Sequence, residues 1–170
     1  KVMEYFGDSV IYTVQKEQKG TAHAAHVGIK SLPKTIETVL VLGGDDSAFY
    51  TKKTLLDFIK KHIEAGAKLS LLAVELENPS KVGRVVRYPD QSIAIVEKEY
   101  WTVAEEKIKE ISTGTFCFDR AWFEKIYPTM QPLRKLNEYG LPTVLAVSRG
   151  EGAKYQVIKF KNFNSKKVLM

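Results

Sequence analysis

With a single cysteine among its 170 residues, the chain has no partner for an internal disulfide. Cys117 lies in the apolar string Thr115-Phe116-Cys117-Phe118, which predicts a buried strand position rather than a nucleophile. A reducing cytoplasm fits that usage. No apolar run approaches the roughly 18–20 residues a membrane span needs, and the chain does not open on a secretory signal. There is no internal repeat, no low-complexity linker and no sign of a second domain. CxxC, HExxH, Walker-loop and catalytic-triad patterns are all missing, so nothing points to a covalent nucleophile.

What the chain does have is an excess of positive charge. It carries 26 Lys and Arg against 20 Asp and Glu, a net charge of +6 and a pI near 9.2. The lysines are scattered, at Lys52-Lys53, Lys60-Lys61, Lys107, Lys109 and Lys166-Lys167. A solvated basic surface, compatible with small anionic ligands such as nucleotides, is favoured over a nucleic-acid face, which would need one continuous basic strip. At 44% hydrophobic residues, the chain can build one domain with a real core.

Periodicity predicts the elements. Val10–Val14 is β-branched and aromatic, so a strand. Gly20-Thr21 opens a helix through Lys30, with Thr21 as N-cap. Thr38–Leu42 is continuously apolar, the mark of a strand buried on both faces. Lys53–Ala65 repeats Leu55, Leu56, Ile59 and Ile63 at helical spacing and closes on Gly66. Leu69–Leu76 is the next strand, and this strand–helix–strand order predicts a parallel core. A hairpin follows, with Arg84–Arg87 and Ser92–Val96 flanking Tyr88-Pro89-Asp90-Gln91. Ile111–Asp119 is a strand, Arg120–Tyr127 a helix stopped by Pro128, and Tyr155–Phe160 a last strand. Over Leu136–Val147 a helical start is interrupted by Pro142.

Five strings carry candidate chemistry. In VLVLGGDD, Gly43 and Gly44 let the backbone approach a ligand and Asp45 is a hard-oxygen donor suited to Mg²⁺; a plain turn with a capping aspartate is the alternative. In QKEQKGTAHA, the helix start favours an anion or a base edge, and Gln15 can donate and accept at once; a capped helix is the commoner explanation. His23 and His26 have no acidic or thiol partner that would complete a zinc set. In NPSKVGRVVR, Gly83 precedes a strand, where a ligand or another backbone would exclude a side chain; a plain turn is the equal alternative. In IVEK, Glu97 at a strand end suits sugar hydroxyls, or is a surface carboxylate. EISTGTFCFD sets Ser112 and Thr113 before an in-strand glycine.

Taken in order, Q-x4-GTAHA, VLVLGGD, NPSKVGRVVR, IVEK, EISTGTFCFD and NEYGL resemble the sugar-nucleotide pyrophosphorylases, and especially the uridylyltransferase domain of the bacterial N-acetylglucosamine-1-phosphate uridylyltransferases. The likeness runs from about Val10 to Asn164. It implies a Rossmann-like nucleotidyltransferase domain over residues 1–170, an α/β fold with a mixed, mostly parallel sheet flanked by helices. It also implies the reaction NTP + sugar-1-phosphate → NDP-sugar + pyrophosphate. By the resemblance, Gln15, Gly20, Thr21 and Gly44 hold the nucleotide, UTP by preference. Gly83, Glu97, Ser112 and Glu138 line the sugar site. Asp45 and Asn164 ligate Mg²⁺.

Three departures stand out. The family's opening strand and its G-x-G-T-R-M loop are absent, so the domain is expected to be partial, with exposed strand edges that pair with a second copy, as a homo-oligomer, or with the missing N-terminal segment. Ser112 replaces an asparagine of the N-acetylglucosamine enzymes. Gly140 and Pro142 replace side chains of the family's EYYLTD. The alternative function is a catalytically incompetent relative that keeps the base and sugar pocket as a regulatory or binding module. A basic domain that binds nucleic acid is the third reading.

Overall fold

The structure is a computed structural model, and it describes residues 1–45, 47, 50–79, 81–133 and 137–160. In chain order the helices are α1 (Val2–Phe6), α2 (Thr21–Lys30), α3 (Lys52–Glu64), α4 (Val103–Glu106), α5 (Arg120–Ile126) and α6 (Leu141–Gly150). The strands are β1 (Thr38–Val41), β2 (Leu69–Glu75), β3 (Arg84–Arg87), β4 (Ile93–Val96), β5 (Glu110–Asp119) and β6 (Tyr155–Phe160).

Side chains alternate across a strand, and here the alternation builds two cores. On β2, Leu69, Leu71 and Ala73 face one way, where they pack with Phe116 and Phe118 of β5 beneath α2, α5 and α6. Leu72 and Val74 face the other way and meet Cys117, Ile158 and Phe58 of α3. The result is a sheet with helices on both faces.

The sheet is mixed, but its pairing is not mostly parallel. Among the described residues, β2–β6 is the one parallel pair. β1–β5, β2–β5, β3–β4 and β3–β5 are antiparallel. β1 and β2 do run in the same direction, joined by α3 as a strand–helix–strand order requires. The long strand β5 lies between them, antiparallel to both, so they never share a ladder. β2, between β5 and β6, is the strand covered on both faces, with only Glu75 exposed. In β1 only Val39 is fully buried, so the continuous apolar run at 38–42 overstates its burial.

Three further expectations change. Val10–Val14 forms no strand; Val10, Ile11 and Val14 are exposed and pair with no strand among the described residues. β-branched residues favour extended backbone, but a strand needs a neighbouring edge to take its hydrogen bonds. On α3 the inward residues are Phe58 and His62, while Leu56 and Ile63 are exposed. Pro142 begins α6 instead of interrupting it, because the first turn has no partner for an amide N–H and tolerates proline there.

Other elements follow their local chemistry. Thr51 caps α3 by accepting from Thr54 N, and Gly66 follows the helix with φ +59°. Asp119 caps α5 by accepting from Trp122 N at 2.8 Å and also pairs with Lys68 Nζ at 2.6 Å. Arg120, buried, donates to the carbonyls of Ile29, Leu32, Pro33 and Ile36, which fastens the α2–β1 connection to α5. No helix among the described residues is long and apolar enough to cross a membrane.

Candidate functional site

Two sequence strings far apart in the chain are stitched together at the start of α2. Tyr139 N donates to Lys19 O at 2.8 Å, and Ala22 N donates to Tyr139 O at 2.8 Å. Leu141 N then donates to Thr21 Oγ1 at 2.9 Å. The Thr21 hydroxyl therefore does not cap its own helix, whose N-cap is Gly20 with no side-chain bond. It secures the first amide of α6 instead. Gly20 adopts φ +95°, and a Cβ there would lie 2.7 Å from Tyr139 O and 2.9 Å from Tyr139 N. Close passage of the Tyr139 backbone, with the positive φ, is what requires glycine. The N-termini of α2 and α6 thus sit side by side, and both line one cleft, through Thr21 and through Leu141 and Pro142.

That cleft encloses about 560 Å³. It gathers Thr21 from α2, Asp45 from the turn after β1, Gly83 before β3, Glu97 after β4 and Ser112 from β5. These are five of the residues expected from the sequence, drawn from five segments. Apolar walls come from Val41, Leu42, Val82 and Phe116. Among the described lining residues the ionisable side chains are carboxylates, Asp45 and Glu97.

The floor is a bulge in β5. Leu71 pairs with Phe116 and Ala73 with Ser112, so two steps along β2 match four along β5. Gly114, with φ +69°, absorbs the excess. Thr113 Oγ1 donates to Leu72 O at 2.9 Å, and Gly114 N donates to Ser112 Oγ at 3.3 Å. Ser112 is buried, and its hydroxyl is engaged within the bulge. Thr113 and Gly114 also face the cleft; the in-strand glycine was the signal for them.

Gly83 sits against Glu97. Its carbonyl oxygen accepts from Ser112 N at 2.9 Å. The preceding loop is held by Arg84, which no sequence pattern singled out. Buried Arg84 donates through Nη1 to Pro79 O at 3.1 Å and Val82 O at 2.7 Å, and its guanidinium stacks 4.1 Å from the Trp101 ring centre. Burial, and secondarily the charge of Glu99, push the Glu97 carboxyl above the usual glutamate range.

Other expected residues lie outside this lining. Gly44 is exposed at the turn, with nothing within 4 Å of where a Cβ would stand. Glu138 is exposed, and its backbone bridges to Leu133. Asn164 lies outside the described residues. Gln15 is half-buried beside the α2 start, where Nε2 donates to Gly20 O at 3.1 Å and contacts His23 Nδ1 at 2.8 Å. His26 stacks on Tyr127 with ring centres 4.0 Å apart. A larger cavity, about 690 Å³, lies between β4 and α6 and shares only Glu97 and Pro142 with the cleft.

Asp45 offers one exposed hard-oxygen donor at the cleft rim. Among the described residues no group of three or more His, Cys, Asp or Glu could hold a metal ion by itself. A single carboxylate fits Mg²⁺, which commonly takes one or two carboxylates and completes its shell with water and substrate phosphate. The Cys117 thiol, buried between β1 and β2, is pushed up to about 12 by burial and is no nucleophile.

The family model described as nucleotidyl transferase matches residues 3–162. The chain belongs to that nucleotidyl transferase family. A curated relative named bifunctional protein GlmU, from Alkaliphilus metalliredigens, is 34% identical over 164 residues, covering 96% of this chain and 36% of its own length. The protein of the same name from Bacillus cytotoxicus is 36% identical over 156 residues, 89% of this chain and 33% of its own. This nucleotidyl transferase chain therefore spans about a third of the length of the curated relatives it matches. A Bacillus anthracis structure assigned to a glucose-1-phosphate thymidylyltransferase, in complex with sucrose, superposes with a TM-score of 0.70 at 17% identity. It matches 94% of this chain and 63% of that one, which establishes the shared fold.

Proposed function

We propose that this chain carries the sugar and base recognition of a transferase that forms an NDP-sugar and pyrophosphate from a nucleoside triphosphate and a sugar-1-phosphate, with UTP as the preferred nucleotide and Mg²⁺ as cofactor. The observation that carries this reading is the convergence of Thr21, Asp45, Gly83, Glu97 and Ser112 on one cleft. GlmU-named relatives across nearly the whole chain support the sugar-nucleotide class.

In the reaction, a phosphate oxygen of the sugar-1-phosphate bonds to the α-phosphorus of the nucleotide. The bond from that phosphorus to the bridging oxygen breaks, and pyrophosphate leaves with the electron pair. No enzyme nucleophile is needed, so the protein's work is positioning and electrostatics. The Glu97 carboxylate accepts from sugar hydroxyls, with Gly83 leaving it room. Gln15 and Gly20 sit where a base would meet the α2 start. Asp45, with Asn164, would hold Mg²⁺, which supplies charge neutralisation of the phosphates. The paired N-termini of α2 and α6 add a positive end-potential suited to an anionic ligand.

The second reading is a binding module without turnover. It is favoured by the cleft's hydroxyl, carboxylate and apolar lining, which suits a sugar better than a triphosphate. Pyrophosphate release separates the two. UTP, dTTP, ATP, CTP and GTP are offered with a panel of sugar-1-phosphates, with and without Mg²⁺. Release with UTP and one sugar establishes the transferase and names the sugar. Binding of a sugar-1-phosphate without release across the panel establishes the module.

A further inference from the structure

The Gln15 side chain is held in one polarity. A carbonyl oxygen only accepts, so the group facing Gly20 O at 3.1 Å is the amide nitrogen, Nε2. The same nitrogen lies 2.8 Å from His23 Nδ1. An amide nitrogen only donates, so Nδ1 accepts, and His23 is neutral with its proton on Nε2. Both N–H groups of Gln15 are then consumed. Oε1 has no hydrogen-bond partner among the described residues, leaving Gln15 an acceptor alone.

We infer that His23 is a positioning residue for base choice: by accepting from Gln15 Nε2 it turns Oε1 outward, so that the site selects a base with an imide N–H, uracil or thymine, over cytosine. The inference rests on Gln15 being the base reader, as proposed above. Uracil and thymine carry a donor at N3, whereas cytosine carries an acceptor there. Two acceptors facing each other leave both unpaired, and loss of a polar match of this kind discriminates strongly.

Two measurements on the full chain test this. The first is a ring-¹⁵N spectrum at about pH 8, with His23 assigned by its loss in His23→Asn. An Nε2–H tautomer is expected; an Nδ1–H tautomer or an imidazolium overturns the inference. The second is calorimetry with UTP and CTP in Mg²⁺ buffer. At about pH 8 UTP is expected to bind tenfold or more tightly than CTP. His23→Asn keeps an acceptor near the Nδ1 position, so it should keep the preference. His23→Leu should lose it. A preference lost in Gln15→Leu but kept in His23→Leu overturns this inference alone. If wild type binds UTP and CTP alike and Gln15→Leu changes nothing, the assignment of Gln15 as base reader falls, and this inference falls with it.

Discussion

A Cβ placed on Gly83 would lie 3.0 Å from one carboxylate oxygen of Glu97 and 3.1 Å from the other. The glycine before β3 thereby fixes how closely the acid after β4 can sit over the cleft. Ile95 Cγ2 is as near, at 3.0 Å, so an added methyl group meets both neighbours.

Gly83→Ala is expected to cost about 1–2 kcal/mol of stability, because the tip of Glu97 can swing away while Ile95 gives less readily. Sugar-1-phosphate binding should suffer more, by about tenfold or more, as the displaced carboxylate enters the space the sugar needs. Thermal denaturation and calorimetry on the same sample compare the two losses. Binding equal to wild type would show that Gly83 does not set the Glu97 position.

Glu97 should also leave a mark on the pH dependence of stability. Burial, and then the charge of Glu99, raise its pKa above the ordinary glutamate value. Just above that ordinary value the folded chain holds a proton that the unfolded chain has released. The stability linked to neutral Glu97 is full below this window and is lost as pH rises through it. Glu97→Gln should therefore melt at a higher temperature than wild type near neutral pH, with the gain vanishing in acid, while sugar binding weakens. A gain that does not change with pH would refute the assignment.

Two glycines should behave oppositely. Gly20→Ala meets the Tyr139 backbone at 2.7 Å with φ +95°, and a loss of roughly 3 kcal/mol is expected from overlap and strain together. Gly44→Ala meets nothing within 4 Å and should change stability by less than about 1 kcal/mol. Urea unfolding midpoints give both numbers. Equal effects would mean that the Tyr139 contact is not what requires Gly20.

Asp45→Ala is expected to abolish Mg²⁺-dependent turnover without unfolding the protein. Asp45 is exposed at the cleft rim, so its removal leaves no cavity in the core. Pyrophosphate release across a Mg²⁺ titration, with circular dichroism on the same protein, checks this. Unchanged turnover would remove Asp45 from the metal site.

Much of the cleft was legible because its residues fall in short strings of unusual composition. Gly83 was readable as a glycine just before a strand, Gly114 as an interruption of one, and Glu97 as an acid at a strand end. The reason for Gly20 was not readable. It lies in the backbone of Tyr139, 119 residues away by the chain numbering, and no local pattern announces a neighbour at that distance. The same holds for Thr21, whose hydroxyl serves Leu141, and for Arg84, which looks like one more basic residue until its carbonyl partners and Trp101 are seen.

The amino-acid sequence by itself determined where most strands and helices lie, since alternation, helical spacing and end-capping act within a few residues. It also set the chemistry available: one inert thiol, carboxylates at strand ends, glycines where backbone passes close. Only the tertiary structure decided which strands are neighbours. β5 inserts between β1 and β2, turning a strand–helix–strand pattern into antiparallel pairs, and Val10–Val14 finds no ladder among the described residues. Strand pairing joins segments far apart in the chain, and its hydrogen bonds run between backbones that carry no local signature of their partner.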